Sequence, residues 1–175
     1  MALLRGINVG RNQRIAMSRL RELLAGLGYA DVRTHLNSGN AVFTNTASPP
    51  EQAAGDIQAA IATHLGLTVP VLVRTADEMA AVVAANPLAD VALDPSRYLV
   101  AFLSAAPDPQ QLAGIDPAEY APEAFHVGNR EIYLWFPDGV IAAKLGHTFW
   151  EKRLNLTATA RNWNTVTKLL ALAGG

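Results

Sequence analysis

Glycine and proline punctuate the first 74 residues so regularly that few element orders remain open. Ala2 to Ile7 is short and apolar and runs into Gly6-Ile7-Asn8-Val9-Gly10, which predicts a strand leading into a loop. Met17, Leu20, Leu23, Leu24 and Leu27 recur at helical spacing, with Ser18 as the expected N-cap and Gly28 as the stop. Residues 32–36 alternate as a strand, Asn37-Ser38-Gly39-Asn40 is a turn, and residues 41–44 form a second strand, giving a hairpin. Pro49-Pro50 opens a helix through Ile57, Ile61 and Leu65, closed by Gly66. Residues 68–74 predict a last strand, and Pro70, which cannot donate to a ladder, puts it at a sheet edge. The order is β-α-β-β-α-β, the split βαβ unit of a ferredoxin-like fold.

The second half repeats this order imperfectly. Thr75 and Glu78 stand at capping-box spacing before a helix that reaches Ala85. Asn86 to Ser96, containing Pro87 and Pro95, reads as a linker, and Arg97 to Leu103 as a strand rich in Tyr, Val and Phe. A short helix over 107–112 precedes a hairpin in which residues 124–127 and 131–136 flank Gly128-Asn129-Arg130. Residues 140–154 read as helical or mixed, interrupted at Gly146. Trp163, Val166, Leu169, Leu170 and Ala173 stripe one face of a final helix ending at Gly174. A terminal helix thus stands where a fourth strand is expected. The fold class is α+β, with two ferredoxin-like halves, the second imperfect and closed by a C-terminal helix. The expected divisions are residues 1–74, a helix and linker over 75–96, and a second subdomain over 97–175.

Half of the 175 residues are hydrophobic and 17% are charged, which suits a packed core and argues against disorder. There is no cysteine, so disulfides, thiolate metal sites and a cysteine nucleophile are excluded. No apolar run is long enough to span a membrane and no signal-peptide pattern opens the sequence, so a cytoplasmic protein is expected. The net charge of −1 argues against nucleic-acid binding driven by bulk charge. It is nonetheless segregated. Residues 1–74 hold seven basic and four acidic side chains, 75–143 hold two and ten, and 144–175 hold five and one. Such blocks point to a polarised surface.

In a β-α-β-β-α-β sheet the first two strands run the same way, so the end of strand one and the following hairpin share one edge. That places Arg5, Gly6 and Asn8 near Ser38, Gly39 and Asn40. Arg5 offers a planar five-donor fork suited to phosphate or carboxylate, and Asn8, Ser38 and Asn40 hydrogen-bond in either sense. A second cluster, Arg161, Asn162 and Thr165, stands at the start of the last helix, where free N–H groups and the helix dipole favour an anion. Turn chemistry in the first cluster and simple helix capping in the second are the competing structural readings.

Other signals exclude more than they assign. Gly6-x-x-x-Gly10 is neither a Walker loop nor a dinucleotide fingerprint. His35, His64, His126 and His147 lack metal-ligand spacing, so neither a metal nor a cofactor is expected. Strand one carries no aromatic residue and strand three only Phe43, unlike the base-stacking sheets of RNA-binding folds.

Met1 to Gly10, Met17-x-x-Leu20, the segment Val32 to Phe43 with its Asn37-Ser38-Gly39-Asn40 turn, and Thr159 to Val166 together resemble domain-of-unknown-function family 1697 (DUF1697). The resemblance implies a small bacterial α+β protein of two ferredoxin-like halves and supplies no activity. Arg11 stands where the family often has a second glycine, and His35 where an aromatic is usual. Arg5, Asn8, Ser38, Asn40, Arg161, Asn162 and Thr165 are carried over as the motif positions to test. The leading functional expectation is a small anionic ligand, phosphate-bearing in character, held at the polar cleft near strand one and the Asn37–Asn40 turn. Two alternatives stand beside it: an enzyme acting in that cleft, with Ser38 as nucleophile, and a nucleic-acid or protein interaction module using the basic ends.

Overall fold

The computed structural model describes residues 1–10 and 13–174, so Arg11, the departure from the family pattern, lies outside the described residues. Grouping by internal packing divides the chain into two units, Met1–Ala80 with Leu169–Gly175, and Ala81–Lys168.

The first unit follows the predicted order: β1 (Ala2–Leu4), α1 (Met17–Gly26), β2 (Ala30–His35), β3 (Asn40–Thr44), α2 (Pro50–Leu65) and β4 (Val71–Val73), before α3 (Ala76–Ala85). Its sheet runs β2-β3-β1-β4 with every neighbouring pair antiparallel, so β4 sits at the edge that Pro70 predicts. The helical spacing of Leu20, Leu23 and Leu24 buries one face of α1, and Ala53, Ile57, Ala60 and Ile61 do the same for α2. Each fully buried Leu or Ile contributes roughly 1.5–3 kcal/mol relative to exposure. Pro50 opens α2, and Gly66, at φ 66°, ends it in the left-handed conformation that favours glycine. Thr75 and Glu78 form the capping box, the Glu78 amide donating to Thr75 Oγ1 at 3.1 Å and the Thr75 amide to Glu78 Oε2 at 2.8 Å. Ala171–Gly174 border, with Asp31, Arg33 and Thr44, a hollow of about 340 Å³ in this unit.

The second unit holds β5 (Tyr98–Leu103), α4 (Pro109–Leu112), a 3-10 turn (Pro117–Tyr120), β6 (Ala124–Val127), β7 (Glu131–Trp135), α5 (His147–Leu154) and β8 (Ala158–Asn162). Its sheet order, β6-β7-β5-β8, matches the first. One expectation is corrected here. A fourth strand does exist: β8 pairs antiparallel with β5 from Leu103↔Ala158 to Leu99↔Asn162, and α6 (Trp163–Leu172) follows it. Residues 140–154 are mixed, with the interruption at Gly146: this residue is the N-cap of α5 and the stretch before it is loop. The imperfection lies in the first crossover, where a four-residue helix and a 3-10 turn replace the ten-residue α1 of the first unit. Ala101, Leu103, Leu134, Phe136, Trp150 and Leu154 form the core. Among the described residues, no helix is long and apolar enough to cross a membrane.

Candidate functional site

The end of β1 and the β2–β3 hairpin meet as the strand directions require. The Leu4 amide donates to the Gly39 carbonyl at 2.8 Å, and the Arg5 amide donates to the Pro70 carbonyl at 2.9 Å. Gly39 is required twice: its φ is +79°, and a Cβ there would lie 2.7 Å from Leu4 Cβ and 2.9 Å from Ile7. Asn8, at φ 57°, closes the loop that follows. Its Nδ2 donates to the carbonyls of Ile15 (2.9 Å) and Asn37 (2.6 Å), and its Oδ1 accepts from the Ile15 amide at 2.9 Å. Asn40 is fully buried, with Nδ2 donating to the His35 carbonyl and to Ser38 Oγ, both at 3.0 Å. The expected cluster is therefore assembled, and two of its amides hold backbone in place.

What remains open to a ligand lies beside it. Asn8, Arg14, Ile15, Ala16 and Asn37 line a hollow of about 410 Å³ at the start of α1. The expected N-cap, Ser18, lies inside the helix. The cap position is Ala16, which has no side-chain acceptor, so it offers the first-turn N–H groups no side-chain cap. Arg14 is exposed at the same rim, its Nη2 donating to the Gly10 carbonyl at 3.3 Å. The sequence reading missed Arg14; the absent cap two residues after it was the available signal. Val9 and Leu36 are large apolar side chains exposed at this tip (74% and 58%), and Leu36 holds φ 58°.

The residues of the other cluster belong to the second unit. Arg161 is buried on β8, with Nη1 donating to Thr159 Oγ1 (2.9 Å) and to the Ala160 carbonyl (2.8 Å). Burial pulls its guanidinium down to about 10, since the charged form is poorly solvated there. Asn162 caps α6 as expected: its Oδ1 accepts from the Thr165 amide at 3.0 Å and from Thr165 Oγ1 at 2.8 Å. An anion at this helix start has to displace Asn162.

The family model described as protein of unknown function, DUF1697, matches residues 1–133. The chain belongs to the DUF1697 family. The matched span includes the Asn8–Asn37 tip of this DUF1697 chain and stops within β7, short of Arg161, Asn162 and Thr165. Among solved structures, the chain is similar to the conserved bacterial protein SP0830 from Streptococcus pneumoniae at 23% identity. The TM-score is 0.70, over 99% of this chain and 97% of that one, which shows a shared fold. No curated protein matches the chain.

Proposed function

We propose that this protein binds a small, phosphate-bearing anion in the hollow at the start of α1. The observation that carries the reading is the presence of Arg14 on the same lining as a helix start whose cap residue, Ala16, has no side-chain acceptor. Uncapped N–H groups and the positive end of the helix dipole favour an anion, and a guanidinium adds a full charge. Arg5 stands on the same loop, outside the lining of the hollow. Asn8 is a positioning residue in this reading: it fixes the loop against Ile15 and Asn37 so that the hollow keeps its shape. The solved structural neighbour is bacterial, and a cytoplasmic bacterial setting goes with this reading.

The test is thermal unfolding of the full chain with inorganic phosphate and pyrophosphate. Ligand at a hundred times its dissociation constant stabilises the native state by about 2.7 kcal/mol. Arg14→Ala should abolish the shift while leaving the ligand-free melting temperature unchanged, because Arg14 is an exposed side chain. An anion-induced shift that survives Arg14→Ala, or no shift in the wild type, removes the reading.

A further inference from the structure

We propose that the second unit carries a separate pocket for a small amphiphilic carboxylate, an anion with a short apolar tail. Leu99 on β5, Leu134 on β7 and Ala160 on β8 line a cavity of about 270 Å³ on one face of the sheet. Leu99 and Ala160 remain only half-buried although both lie within the sheet. The crossover from β5 to β6 provides only the four-residue α4 and a 3-10 turn where the first unit has a ten-residue helix, which is thinner cover for this face. The floor is thus apolar and its burial is incomplete, the condition under which an apolar ligand gains most from entry.

The mouth has the opposite character. Lys144 and His147 stand on the lining and are exposed. Two carboxylates lie close by without lining the cavity: Asp138, two residues before Val140 on this loop, and Glu123, before β6, whose carboxylate accepts from the Lys144 and Leu145 amides at 2.8 and 2.9 Å. Val140, on the rim, is 46% exposed and extends the apolar surface outward. An apolar floor under a mouth that carries the Lys144 ammonium complements a molecule with one anionic end and one apolar end, and neither half alone satisfies both surfaces. The cavity has the volume of about nine waters, room for a carboxylate with a tail of several methylenes.

The test is amide NMR titration of the labelled full chain with hexanoate, with acetate and hexan-1-ol as controls that each keep one half of the ligand. Hexanoate should produce saturable shifts confined to residues 140–149 and the adjoining strand positions, with a dissociation constant of about 1 mM or tighter. Acetate and hexan-1-ol should each bind about tenfold or more weakly than hexanoate. Lys144→Glu should weaken hexanoate by about tenfold and leave hexan-1-ol unchanged. Hexan-1-ol matching hexanoate, an unaffected Lys144→Glu variant, shifts centred elsewhere, or no saturable response each overturn the proposal. The first three measurements use the wild-type chain, so they stand whether or not a variant folds. Arg14→Ala should leave hexanoate binding untouched, which separates this pocket from the hollow at α1.

Discussion

Asn8 spends its amide inside its own loop, donating to two carbonyls and accepting from one N–H. A polar residue with its donors and acceptor engaged in this way holds a shape and has little left for a ligand. Asn40 behaves alike, and Asn162 serves its own helix. The residue types that mark a binding cluster in sequence are the same types that build turns, and only geometry separates the two uses. Gly39 gives the sharpest test of how tightly this tip is built. Gly39→Ala forces a left-handed non-glycine and drives a methyl into Leu4 and Ile7. We expect a loss of about 2–4 kcal/mol, read from the urea midpoint. A loss below about 0.5 kcal/mol would mean the loop yields easily.

At the scale of elements, α1 is the helix whose start is chemically incomplete. Ala16 has extended backbone angles, φ −65° and ψ 138°, suited to an N-cap, and lacks only the acceptor. Ala16→Asp should stabilise the chain by about 1 kcal/mol and weaken phosphate binding, because the new carboxylate takes the N–H groups and repels the anion. A gain in melting temperature with unchanged phosphate affinity would show that the helix start takes no part in binding. Legibility also divides by element. The first unit was readable because local signals bound its elements: Pro50 and Gly66 around α2, and the leucine spacing in α1. β8 was not, because Ala-Thr-Ala-Arg-Asn has neither a β-branched run nor an aromatic residue. It is a strand through its pairing with β5, some sixty positions earlier, which no local pattern encodes. The burial of Arg161, which the sequence places in an anion cluster at the start of the last helix, follows from that pairing as well. At the candidate site the sequence placed Asn8 beside the turn correctly, yet passed over Arg14 because the cap was assigned to Ser18.

At the scale of the whole molecule, the second unit rests on tyrosines that resist ionisation. Tyr98 stacks on Trp163 with ring centroids 4.7 Å apart, and burial pushes its hydroxyl up to about 12. Burial raises Tyr133 as well, and its hydroxyl donates to the Val82 carbonyl at 3.0 Å. An unfolded tyrosine loses its proton near 10, whereas folded Tyr98 keeps it to about 12. Between those values the unfolded state binds fewer protons, so stability is intact below pH 10 and falls as pH rises towards 12. Denaturant midpoints measured across that range should decline, and Tyr98→Phe should flatten the decline; a constant midpoint in the wild type would contradict it.

The first unit also includes a segment far away in sequence. Leu169 onward packs with Met1–Ala80, and Ala171–Gly174 border the hollow beside Asp31 and Arg33. On the ribosome, β1–β4 emerge well before Leu169, the start of the segment that packs with them. The segment from Leu169 is thus joined to its unit across the whole length of the second unit in sequence.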